Sequence, residues 1–150
     1  MSGTYTKLLY HIVFSTKNRL PLIDAKLEPK LHKYMGGILR NLGGSLLEVN
    51  GMNDHVHLLV KLKPTIAVSD IVRDIKSNSS KWINGETKLL RKFGWQDGFS
   101  AFSVSQSQVE RMIAYIVGQK EHHQRRDFKS EVLTLLRKHD IEFDEELLWR

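Results

Sequence analysis

Asn53-Asp54-His55-Val56-His57-Leu58-Leu59-Val60 is the stretch on which the fold of this 150-residue chain turns. Two imidazoles one residue apart run into an apolar, β-branched sequence, which predicts a strand with both rings on one face, because strand side chains alternate with period two. Their Cα atoms then lie about 7 Å apart, so both rings can converge on one divalent ion. A helical His-x-His would point the rings away from each other. The same spacing fits an ordinary strand with histidines on its solvent face, and by itself it leaves both readings open.

Working outward, Ser45 to Val49 reads as a short strand, Asn50-Gly51 as a turn, and His55 to Leu62 as the second arm of a hairpin that Pro64 ends. Upstream, Leu27, Leu31, Met35, Ile38, Leu39 and Leu42 recur at three and four residues, which predicts an amphipathic helix from Asp24 to Leu42 stopped by Gly43 and Gly44. Tyr5 to Ser15 is aromatic and β-branched and predicts the first strand. The loop after it carries Lys17 and Arg19, fitting a solvated turn or a phosphate contact.

Downstream, Ile66, Ile71, Val72, Ile75, Ser79, Trp82 and Ile83 mark the buried side of a helix from Ile66 to Leu90. Its other face presents Arg73, Lys76 and Lys81, a solvated face or the lining of a groove for a phosphate backbone. Phe93 to Ser100 is a glycine-punctuated aromatic loop, and Ala101 to Val104 a further strand. Ser105 or Ser107 is expected to cap a helix from Gln108 to Gln124. A last helix from Phe128 to Lys138 leads into an acidic tail. The order is βαββαβ, which predicts an α+β, ferredoxin-like sandwich: an antiparallel sheet with helices on one face plus C-terminal helices, in one domain over residues 1–150.

Lys and Arg total 23 against 17 Asp and Glu, a net charge of +6 that suits a polyanionic partner. Asp140, Glu142, Asp144, Glu145 and Glu146 crowd the tail, so the remainder is more basic than the average. The absence of cysteine excludes disulfides, thiolate zinc sites and a thiol nucleophile. With no apolar signal core and no transmembrane-length run, a soluble cytoplasmic protein with no membrane partner is expected.

Tyr115 and Gln119 stand at i and i+4 and project from one helix face. A phenol with pKa about 10 is a poor nucleophile unless its phenolate is stabilised or its target polarised. An ion held by His55 and His57 could polarise a phosphate, and the Gln119 carbonyl could complete the site. Helical packing accounts for Tyr115 equally well at this point. His122 and His123 read as exposed helix residues or outer contacts of the ion, Arg125 and Arg126 as phosphate contacts or surface charge, and His11 as structural. Trp95 and Phe99 fit core packing or base stacking.

Four stretches together resemble the single-tyrosine HUH transposases of small bacterial insertion sequences and their domesticated relatives associated with repetitive extragenic palindromes. They are His11-Ile12-Val13-Phe14-Ser15-Thr16-Lys17, Asn53 to Leu59, Trp95 to Ser105, and Tyr115-Ile116-Val117-Gly118-Gln119-Lys120-Glu121-His122-His123. The resemblance implies His55, His57 and Gln119 as ligands of Mg²⁺ or Mn²⁺ and Tyr115 as the nucleophile. Cleavage of single-stranded DNA near hairpins would pass through a 5′-phosphotyrosine, and a homodimer could share its active sites between subunits. Lys17, Arg19, Arg73, Lys76, Lys81 and Arg125 are the candidate DNA contacts. A domesticated palindrome nuclease and a non-enzymatic single-stranded nucleic-acid-binding module are the alternatives.

Overall fold

A computed structural model describes residues 3–86 and 92–150. Its elements are β1 (Leu8–Ser15), α1 (Leu27–Asn41), β2 (Ser45–Met52), β3 (His55–Leu62), α2 (Val68–Glu86), β4 (Ser100–Val104), α3 (Val109–Val117), α4 (Gln119–His122), α5 (Phe128–Lys138) and α6 (Glu145–Leu148). The four strands form an antiparallel sheet in the order β2-β3-β1-β4, the arrangement that βαββαβ connectivity gives. Residues 87–90, the expected end of the second helix, lie outside the described residues.

Period-two alternation sorts the central strands onto two faces. Ile12, Phe14, Val56, Leu58, Val60 and Leu62 meet Leu31, Met35 and Leu39 of α1 and Ile71, Val72, Ile75 and Ile83 of α2 in the main core. Each such side chain, fully buried, contributes roughly 1.5–3 kcal/mol. The C-terminal helices take the opposite face. There, Leu9, Leu59 and Val104 meet Val109 and Ile116 of α3, while Val13 and Phe102 meet Phe128, Val132, Leu135 and Leu136 of α5. His11, His55 and His57 lie on this second face with no exposed surface, so the reading of a solvent-facing His strand is wrong.

Several expected boundaries move. The first strand begins at Leu8 and the second helix at Val68. Asn50 and Gly51 are not a turn: they pair with His57 and Val56 inside β2, and the chain reverses at Asn53-Asp54. A side chain at Gly51 would strike the His55 carbonyl, so close approach of the strands is what requires glycine there. Neither serine caps α3. The Ser105 and Ser107 hydroxyls bond each other at 2.9 Å, and a 3₁₀ turn at Gln106–Gln108 leads into the helix instead. The helix expected to run to Gln124 breaks at Gly118 into α3 and α4. α5 keeps its expected bounds, with the Asp127 side chain accepting from Ser130 N at 2.9 Å as its N-cap. No helix among the described residues is long and apolar enough to cross a membrane.

Candidate metal and nucleophile site

β3 presents His55 and His57 to the second face, and both rings use the nitrogen pointing away from the cluster for an outer partner. His55 Nδ1 lies 2.7 Å from Asp54 Oδ1, and His57 Nδ1 lies 2.8 Å from Nε2 of His11. His11 comes from β1, diagonal to His57 across the strand pair, and its ring stacks on that of His57 with centroids 5.1 Å apart. An outer partner on one nitrogen fixes ring orientation and aims the other nitrogen at a shared point.

α3 and α4 bring Tyr115 and Gln119 over that point. Asn50 Nδ2 donates to Val117 O at 3.0 Å, and Lys120 Nζ donates to Glu28 Oε1 and Gly51 O, both at 2.8 Å, and to Asn50 Oδ1 at 3.0 Å. These bonds tie the helix break to β2 and α1. Gln119 is consequently fully buried, its Oε1 3.2 Å from His55 Nε2 and 3.0 Å from His123 Nε2.

Two residues that the sequence did not single out as ligands complete the cluster. Glu131, on α5, places Oε1 2.9 Å from His57 Nε2 and 3.0 Å from His123 Nε2. Its Oε2 accepts from the Tyr115 hydroxyl and, at 2.9 Å, from Gln119 Nε2. His123 corrects the expectation of an exposed helix histidine, its side chain being only 6% exposed, whereas His122 is exposed and touches the Tyr115 ring. The available signal for Glu131 was a carboxylate on the apolar stripe of Phe128, Val132 and Leu135.

Burial sets the electrostatics. It pulls His57 down to about 4, against the pull of the Glu131 hydrogen bond, and His11 to about 3, so both rings are neutral at physiological pH. Burial would raise Glu131, but hydrogen bonds from His123 and His57 outweigh it and hold the carboxyl below the usual carboxylate range. Burial, then the Glu131 charge, push the Tyr115 hydroxyl above the ordinary phenol range. His55, His57, His123 and Glu131 each offer a ligand atom within 4.8 Å of the others. Two β3 imidazoles with their outer nitrogens occupied, a third imidazole and a carboxylate are a donor set that fits a divalent cation.

The six expected DNA contacts have different surroundings. Arg125 lines a cavity of about 320 Å³ with Tyr115, His122, His123 and Glu131. Arg73 and Lys76 line a separate cavity of about 440 Å³ with Phe99. Lys76 Nζ donates to Gln96 O at 2.8 Å, and burial lowers its pKa to about 8. Lys17 pairs with Asp97 at 3.5 Å, Arg19 lies over the Trp149 ring at 5.6 Å, and Lys81 is exposed on α2. Trp95 is core, bonded to Ser79 Oγ at 3.0 Å, while Phe99 remains 38% exposed.

With this geometry, the likeness to known proteins has a physical content. The ISDra2 transposase TnpA of Deinococcus radiodurans is 24% identical over 124 residues, a match covering 79% of this chain and 89% of the relative. In fold, the chain resembles a candidate transposase of Deinococcus radiodurans R1, with TM-score 0.63 and 23% identity over 79% of this chain and 95% of that one. It also resembles a REP-associated tyrosine transposase solved bound to a REP hairpin, with TM-score 0.62 and 16% identity over 82% of this chain and 73% of that one. The sequence profile of the IS200-like transposases matches residues 4–119, and the chain belongs to that family.

Proposed function

We propose that this transposase cleaves and rejoins single-stranded DNA at hairpin-bearing ends, with Tyr115 as nucleophile and a divalent cation, Mg²⁺ or Mn²⁺, held by His55, His57 and Gln119. The observation that carries this reading is the convergence of the Tyr115 hydroxyl, the Gln119 amide and the two β3 imidazoles, His57 at 2.9 Å and His55 at 3.7 Å, on the carboxylate of Glu131. When bound, the cation would draw charge from a non-bridging phosphate oxygen. Tyr115 Oη forms a bond to phosphorus while the bond from phosphorus to the 3′ oxygen breaks. The phenolic proton leaves to water while Glu131 Oε2 holds the hydroxyl in place, and the departing oxygen takes a proton from water to become a 3′-hydroxyl. The 5′-phosphotyrosine keeps the bond energy, so a second 3′-hydroxyl can reverse the step without ATP.

Arg125 lines the cavity beside Tyr115 together with Arg126, and this pair of guanidinium groups would meet the scissile phosphate. The groove of Arg73, Lys76 and Phe99 would take backbone or an unpaired base further along the strand. Tyr115 and the His pair meet within one chain, which makes a single chain the unit of cleavage in this proposal. Mixing Tyr115→Phe with a His55→Ala/His57→Ala chain separates this from a homodimer with shared sites, since only the shared arrangement recovers activity.

End-labelled hairpin oligonucleotides with Mn²⁺ on a denaturing gel test the function. A metal-dependent adduct that disappears in Tyr115→Phe, with DNA binding retained, is expected. Cleavage that persists in Tyr115→Phe would reject the nucleophile, and binding without any cleavage would favour a binding module.

A further inference from the structure

The family match ends at residue 119, yet the carboxylate facing the Nε2 atoms of the His pair comes from α5, beyond it. The buried residues of α5 are Phe128, Glu131, Val132, Leu135 and Leu136, so Glu131 is the one charged member of an apolar stripe. A buried carboxylate is destabilising unless paired, and packing alone would be served better by leucine. Its two oxygens face different groups. Oε1 lies 2.9, 3.0 and 3.7 Å from Nε2 of His57, His123 and His55, while Oε2 accepts from Tyr115 and Gln119. His55, His57 and Gln119 are neutral as ligands and would leave a dication uncompensated in a site of buried side chains. One carboxylate offsets half that charge and supplies the hard oxygen that Mg²⁺ and Mn²⁺ favour.

We propose that Glu131 Oε1 is an anionic ligand of the cation, so that loading the site and docking α5 on the sheet are a single coupled equilibrium. This rests on the His pair being the cation site, as read above. Because Oε2 of the same carboxylate holds the Tyr115 hydroxyl, one side chain connects the cation to the nucleophile. Linkage is reciprocal: the cation strengthens α5 docking by the factor by which docking strengthens cation binding.

Mn²⁺ titration of the full chain without DNA, with hydrogen exchange of the α5 amides, tests this. Glu131→Gln should weaken Mn²⁺ binding by about tenfold or more. In the unsubstituted chain Mn²⁺ should slow exchange across α5, and in Glu131→Gln it should not. Equal Mn²⁺ affinity in Glu131→Gln would overturn the proposal. So would α5 exchange in the unsubstituted chain that ignores Mn²⁺, a measurement that decides the matter even if the variant fails to fold. A chain that loads Mn²⁺ through Glu131 but forms no Tyr115 adduct would reject the proposed function and support this inference, and adduct formation with equal affinity would do the reverse.

Discussion

His57 is held at both ring nitrogens, by His11 on one side and by Glu131 on the other. Replacing His11 by leucine leaves His57 Nδ1 buried without a partner, whereas glutamine can still reach it. His11→Leu should therefore weaken Mn²⁺ binding by roughly tenfold and His11→Gln by less, as read by titration calorimetry. The same burial gives the metal-free protein an acid limit. His11 and His57 fall to about 3 and about 4 when folded, against an ordinary value near 6.5 in the unfolded chain. Between those values the unfolded chain binds more protons, so stability rises with pH there and is lost as pH falls from 6.5 toward 4. Glu131, held low, acts in the same direction below its ordinary range. Urea midpoints measured at pH 7, 5.5 and 4.5 should fall in that order, and a flat series would contradict neutral burial.

At this scale the sequence was informative where spacing is local. His55 and His57 follow from strand alternation, whereas Tyr115 and Gln119, four residues apart, are divided between α3 and α4 by Gly118. Glu131 and His11 were less legible because their partners are distant in the chain. Nothing beside Glu131 announces His57, which is 74 residues away. His11, called structural, has the burial that word implies, but its nearest polar partner is the His57 ring.

Among the elements, the break between α3 and α4 shapes the site. An unbroken helix would have carried Gln119 onward along its axis, whereas the turn at Gly118 lets Lys120 and Val117 seat on Asn50 and Gly51 of β2. The Asn50-Gly51 pair reads as a turn in the sequence because local turn chemistry and close strand approach both select glycine. What distinguishes them is tertiary contact, which a local pattern does not contain. Gly51→Ala forces its methyl onto the His55 carbonyl and should destabilise the protein by about 3 kcal/mol, measurable by urea denaturation. A cost near zero would mean that the hairpin can slide apart at no penalty.

Over the whole molecule, the acidic tail returns to the sheet instead of trailing into solvent. Gln96 Oε1 accepts from Ser15 N at 2.9 Å, and its amide donates to Leu148 O at 3.4 Å and Arg150 O at 3.3 Å. Trp149 lies between Arg19 at 5.6 Å and Lys129 at 5.1 Å and packs against the α5 core. Trp149→Ala should lower stability by about 2 kcal/mol in urea denaturation, less than for a fully buried Trp because this side chain is only partly buried. The βαββαβ order was readable because each element declares itself by its own period. The closure of the second face by α5 and the tail was not, since it depends on which distant surfaces meet.

In the proposed reaction Tyr115 becomes covalently joined to DNA. Digesting the Mn²⁺-formed protein–oligonucleotide product with nuclease and protease, then mapping peptides by mass spectrometry, tests it most directly. A nucleotide remnant is expected on the peptide containing Tyr115, attached at its phenolic oxygen through a 5′ phosphate. A remnant on any other residue, or cleaved DNA with no modified peptide, would contradict it.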